Sequence, residues 1–240
     1  MAFVRRFSAL LFIIAIPVAL LTTTIRVAVN EPRLYEYAAD HYDTPATTGI
    51  ERSELLRASG ELRDYFNNDA ETIFIRVQKD GAPISLFNER ETLHMEDVKV
   101  LLQTSFRVQE AAVLFALAYI VAVFIWAGER SMRTLARQIV LSGLISGTII
   151  VALGVAVTIG FHRVSDQFHV IAFNNDFWQL NPNRDRLIQM FPEAFWEDIT
   201  VWIGLATLAE VGVLAGVAAL YLRLTRDSVT SYPVTDTAQT

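Results

Sequence analysis

The sequence predicts a membrane all-α bundle of four transmembrane helices carrying a small extracytoplasmic α+β cap. Three observations lead there. The 240 residues are 52% hydrophobic with a mean hydropathy of +0.34, too apolar for an ordinary soluble domain. Four runs, Phe7 to Val29, Val108 to Ala127, Ile139 to Phe161 and Ile199 to Leu222, are long enough to cross about 30 Å of hydrocarbon. Arginines cluster at one set of span ends: Arg5 and Arg6 before the first, Arg130, Arg133 and Arg137 between the second and third, Arg223 and Arg226 after the fourth. Positive residues are retained on the cytoplasmic side, so both termini are expected in the cytoplasm and the two long connections outside it.

Residues 1–29 form the first helix. Its apolar run continues through Thr22, Thr23 and Thr24, longer than the core of a secretory signal and without a small-x-small cleavage site. Pro17 can kink such a span without ending it. Residues 30–107 form the cap. Around Tyr35, Tyr37 and Tyr42 it reads as interfacial loop. The capping-box spacing of Thr48 and Glu51, with Leu55, Leu62 and Phe66 on one stripe, predicts a helix over 49–66. Two β-rich runs, 73–77 and 84–87, flank Lys79, Asp80 and Gly81 as a hairpin. A helix then starts near Thr92, with His94 in its first turn, and continues into the second span at 108–127.

Residues 128–138 are the cytoplasmic connection, and 139–161 the third span. The segment 162–198 returns outside with interfacial helices: His162, Asp166, His169 and Phe173 share one face of an outward extension, and Asn181 with Pro182 opens a short helix carrying Leu187. Trp178, Trp196 and Trp202 suit interfacial depth. Residues 199–224 are the fourth span, and 225–240, rich in Thr and Ser, a disordered cytoplasmic tail. Gly143 to Gly147 and Gly212 to Gly216 have small-xxx-small spacing, which predicts close packing of spans three and four.

Composition removes several chemistries. The net charge of −6 is diffuse, with no basic stripe, so nucleic acid is not an expected partner. Cysteine is absent, which excludes thiol catalysis, cysteine metal sites and disulfides. No Gly-x-Ser-x-Gly elbow, phosphate-cradling loop or His-Glu-x-x-His motif occurs. All four histidines fall in the outer regions, and histidine is the residue best suited to act as acid or base near neutrality. At the start of a helix, His94 would be kept neutral by the macrodipole. His162, Asp166 and His169, with His94 from the other segment, are a permissive but undiagnostic metal set. Glu210, within the fourth span, reads as a protonated side chain bonded to a neighbouring helix, with a functional role as the competing reading.

Two blocks resemble a known family. Phe87, Asn88, Glu89, Arg90 and Glu91, then His94, Met95, Glu96, Asp97, Val98 and Lys99, are similar to the outer-domain signature of a bacterial four-span membrane family that includes the lipoprotein intramolecular transacylases. Phe168 and His169, then Asn175, Asp176, Phe177, Trp178, Pro182, Asp185, Leu187, Ile188 and Phe191 through Trp196, resemble that family's pattern after its third span.

The resemblance implies an acyl shift. The sn-2 chain of a diacylglyceryl-cysteine moves to the free α-amino group of the same lipoprotein, with no cofactor, metal or soluble cosubstrate. It implies His94 and His169 as catalytic, His94 as base and His169 as proton donor or oxyanion partner, with the two roles exchangeable. It implies Asn88, Glu89, Arg90, Asp97, Asp176 and Trp178 as substrate-binding. The partner would be a membrane lipid or a diacylated lipoprotein N-terminus in the bacterial cytoplasmic membrane, with the active face extracytoplasmic. His162 matches no family position. From the residues alone, a non-enzymatic membrane protein whose cap binds a lipid, peptide or partner stays open, as does a metal-dependent hydrolase, and oligomeric state is undetermined.

Overall fold

Apolar length and local capping chemistry dictate an order of eight helices and one hairpin, seen in a computed structural model that describes residues 2–127 and 130–225. The chain runs through α1 (Ala2–Asn30), α2 (Pro32–His41), α3 (Thr44–Thr48), α4 (Arg52–Phe66), β1 (Arg76–Lys79) and β2 (Ala82–Ser85). It continues with α5 (Glu89–Ala127), α6 (Arg130–Ala172), α7 (Arg186–Met190) and α8 (Glu193–Leu224). Helices α1, α5, α6 and α8 are long and apolar enough to cross a membrane. Arg226 and the predicted disordered tail beyond it lie outside the described residues, as do residues 128 and 129. Because α6 already begins at Arg130, helix replaces most of the connection expected over 128–138.

The bundle closes around α1, which contacts α5, α6 and α8, while α6 packs along α8. At Gly143 of α6 the absence of a side chain is required: a Cβ there would sit 2.6 Å from that of Ala215 on α8. Gly212 and Gly216 have no such neighbour, so only the first small-residue pair lies at the helix contact. Deep in the bundle Phe12 stacks on Tyr119 at 4.5 Å, Gln138 donates to the Tyr119 hydroxyl at 2.9 Å, and Ser142 donates to the Ile13 carbonyl at 2.7 Å. Glu210 accepts from Thr24 of α1 at 3.2 Å.

Helix α5 has 39 residues, about 58 Å at 1.5 Å per residue and roughly twice the hydrocarbon thickness. Its head, through Arg107, carries Arg90, Asp97 and Lys99. Below it, the stretch from Val108 has one charged residue, Glu110. The head therefore stands clear of the bilayer and forms one wall of the cap. The cap core joins Leu55, Leu62, Val77 and Leu86 to Met190 and Phe195, so the connection after α6 is part of the cap rather than a separate surface layer.

Several local expectations are corrected. The tyrosine-rich stretch is helix, not loop: Pro32 occupies the first turn, Glu31 accepts from the Arg33 amide at 3.2 Å, and Tyr35, Ala38 and Ala39 are buried. Thr48 does not cap α4, because Gly49 adopts φ +66° and closes α3 there, so α4 starts at Arg52. The hairpin is shifted along the chain. Asp80 and Gly81 both have positive φ, which places the tight turn between Lys79 and Ala82 and pairs Val77 with Ile84. Helix α5 starts at Glu89 rather than near Thr92. Asn88 and Glu91 form a reciprocal box, with the Asn88 side chain accepting from the Glu91 amide at 3.1 Å and Glu91 accepting from the Asn88 amide at 2.9 Å.

Candidate active site

That earlier start moves His94 into the second turn of α5, beyond the reach of the macrodipole, so its protonation state has another cause. His94 is 7% exposed. Burial, with His169 adding a like-charge effect, pushes its pKa down to about 4, and Asp97 offsets this only in part. The ring is neutral at physiological pH. On the same helix face stand Arg90 one turn before it and Asp97 one turn after.

His169 arrives from the outer part of α6, beyond the break in helical geometry at Gly160. The two histidine rings lie 6.1 Å apart, tilted by 39°. Phe173 meets His94 edge-on at 5.3 Å, and Trp178 stacks on His169 at 4.8 Å. Nδ1 of His169 is 2.7 Å from the Ser165 carbonyl. A carbonyl only accepts, so Nδ1 carries the hydrogen and Nε2 of the neutral ring has the free lone pair. In that tautomer Nε2 is the acceptor of the His169 ring.

The stretch after α6 is strapped to the head of α5 by polar contacts. Asn175 donates to Asp97 at 2.8 Å. Arg90 donates through Nη2 to the Asp176 carbonyl and lies 3.6 Å from its carboxylate. Asn88 donates to Asp185 at 2.9 Å, and Glu91 accepts the Leu187 amide at 2.6 Å. Asp185 and Glu91 are both buried. Asp185 also takes Arg184 at 2.9 Å and the Asn181 amide at 2.7 Å, and the Arg184 bond chiefly holds its carboxyl below the usual range. Burial pushes Glu91 upward, against the hydrogen bonds from the Asn88 and Leu187 amides.

Among the described residues, three buried side-chain nitrogen or oxygen atoms lack a hydrogen-bond partner, and two of them are Arg90 Nε and His94 Nδ1. Buried polar groups in folded proteins are nearly all satisfied, so two unpartnered nitrogens one turn apart on one helix call for an explanation.

Of the sequence-derived candidates, the fold gathers His94, His169, Arg90, Asp97, Asp176 and Trp178 in one neighbourhood. Asn88 serves as helix cap and Asp185 partner. Glu89 is exposed and makes no side-chain hydrogen bond or ion pair among the described residues. The metal set is not assembled. His162 is exposed and pairs with Glu193 and Asp166, and among the described residues no three His, Asp or Glu side chains are placed to hold a metal ion. Glu91, Asn175 and Ser165 were not singled out as site residues. Of these only Glu91 had a readable signal, its capping-box spacing from Asn88.

The chain is similar to several known proteins. The family model described as lipoprotein intramolecular transacylase Lit matches residues 10–196. An uncharacterized protein of Aquifex aeolicus is 24% identical over 204 residues, covering 84% of this chain and 88% of that one. The in meso structure of the membrane integral lipoprotein intramolecular transacylase Lit from Bacillus cereus has a TM-score of 0.74 at 20% identity, covering 95% of this chain and all 100% of that one. A variant of that protein with one histidine changed to arginine gives a TM-score of 0.71 at 18% identity, covering 95% and 96%. These structural likenesses establish the shared fold, and the family match spans most of the sequence. The chain belongs to the lipoprotein intramolecular transacylase (Lit) family.

Proposed function

We propose that this chain is a membrane acyltransferase that moves the sn-2 acyl chain of a diacylglyceryl-cysteine lipoprotein to that lipoprotein's own α-amino group, giving the lyso form. Family membership supports the reaction class. The observation that carries the mechanism is the 6.1 Å approach of two histidine rings brought from different helices. The arginines at the opposite end of the bundle favour an extracytoplasmic cap.

The α-amino group of the substrate is an ammonium at neutral pH and must lose a proton before it can attack. His169 Nε2 is the acceptor its tautomer makes available. His94, at about 4, is too weak a base for that task and acts instead as a neutral hydrogen-bond donor. The sequence left the two roles exchangeable, and this reading gives the base to His169. The reason is that burial, not helix position, sets the His94 ring. Asp97, half-buried and engaged by Asn175 through one oxygen, retains its other oxygen for the substrate ammonium. The amine nitrogen then adds to the ester carbonyl carbon, and the bond from that carbon to the sn-2 oxygen breaks. His169 gives the first proton up to solvent, takes the second from the nitrogen as it bonds to carbon, and passes that one to the departing alkoxide. Ammonium and ester become an amide, a free hydroxyl and one proton released to solvent. Trp178 covers one face of His169 and shields the transfer from water.

The test is coexpression with a diacylated lipoprotein, followed by fragmentation mass spectrometry, since an intramolecular shift leaves the total mass unchanged. Appearance of the N-acylated, monoacylglyceryl form is expected. If the diacylglyceryl form persists where a verified transacylase converts it, the reading is wrong.

A further inference from the structure

We infer that Arg90 is a catalytic residue, its Nε–H forming with the Nδ1–H of His94 a donor pair for the oxyanion that develops on the ester carbonyl. The inference rests on the acyl-transfer reading above and gives Arg90 a specific role within it.

The two orphan atoms set the argument. An arginine nitrogen is a donor at every accessible pH and never accepts, so any group that comes to meet Nε must be an acceptor. His94 Nδ1 lies on the same helix face, four residues on, and is also buried and unpartnered. An acceptor common to both requires the Nδ1–H tautomer of His94, which the neutral ring can adopt. The other end of the guanidinium is fixed, because Nη2 is held by the Asp176 carbonyl. Arg90 therefore cannot swing away to solvent without breaking the strap, and Nε stays turned inward. A substrate carbonyl in the ground state is a weak acceptor. The tetrahedral oxyanion formed when the amine nitrogen adds is a strong one, so the pair binds the transition state in preference to the substrate. When the bond to the sn-2 oxygen breaks, the charge leaves the oxyanion and the pair releases the amide product.

The experiment compares wild type with Arg90→Lys and Arg90→Gln on a synthetic dipalmitoylglyceryl-cysteine peptide in proteoliposomes. Lysine keeps the positive charge and loses the fixed Nε–H. The expected result is a fall in kcat on the order of 10²-fold to 10³-fold with little change in KM. A phosphonate analogue of the sn-2 ester, which mimics the oxyanion, should lose affinity in parallel, while the amide product should not. A wild-type kcat in Arg90→Lys, or a rise in KM alone, overturns the assignment. A second measurement needs no variant: replacing the sn-2 carbonyl oxygen by sulfur weakens the acceptor and should slow the wild-type enzyme. Equal rates for ester and thionoester also overturn it. Absence of any wild-type turnover sinks the acyl-transfer reading and the inference together, whereas turnover that survives Arg90→Lys sinks the inference alone.

Discussion

The Glu91 carboxylate accepts the Leu187 amide at 2.6 Å, joining positions 96 residues apart in the chain. Its other oxygen takes the Asn88 amide. Glu91→Ala leaves the buried Leu187 N–H and the part-buried Asn88 N–H unpaired and should destabilise the protein by about 1–3 kcal/mol. A thermal melt in detergent micelles reads this directly. An unchanged melting temperature would mean that the strap does not hold the cap.

His169 supplies the free lone pair at the site, so His169→Gln should reduce turnover by about 10²-fold to 10⁴-fold. Fold and expression should be retained, since the ring is half-buried and stands over Trp178 rather than in the cap core. Product analysis by fragmentation mass spectrometry decides the point. Near-normal turnover in a well-folded variant would remove His169 from the mechanism.

The His94 ring makes stability depend on pH. Unfolded, it binds a proton near 6.5; folded, only near 4. Between these values the unfolded state holds more protons, so stability is complete above the upper value and declines as pH falls through the window. The loss is worth about 3 kcal/mol at the acid end. Melting temperature measured from pH 7 to about pH 4 should show this fall, and His94→Phe should flatten it. Identical pH profiles for the two proteins would contradict the account.

Gly143 permits the closest approach of α6 to α8. Gly143→Ala brings a Cβ to 2.6 Å from Ala215 and should cost about 1–3 kcal/mol. Ala215→Gly in the same background should restore most of it. Gly216→Ala, which meets nothing within 4 Å, should be neutral or slightly stabilising. Equal effects of the two alanines would argue against the packing.

Legibility followed locality. The hairpin was read from Asp80 and Gly81, but its strands were placed too far out because Ile73 and Ile75 are buried in the cap core without joining a strand. Helix α2 was missed because its tyrosines suit an interface as well as a helix, and what decides between them is burial of Tyr35 against distant residues. The two histidines stood out by residue type and outer placement, and the family pattern paired them. The depressed pKa of His94 and the tautomer of His169 were not legible, since they depend on the depth of burial and on the Ser165 carbonyl.

The sequence by itself determined the four membrane-crossing helices, because apolar length and charge at the ends act through the solvent on each segment separately. It also determined which side chains are capable of the chemistry. Only the tertiary structure decided which of them are brought together and how deeply each is buried. The strap from Asn88 and Glu91 to Asp185 and Leu187 ties the chain after α6 to the head of α5, and Arg90 Nε and His94 Nδ1 are buried without a partner. Those outcomes depend on hydrogen bonds across nearly a hundred residues, and no local pattern encodes the partner of such a bond.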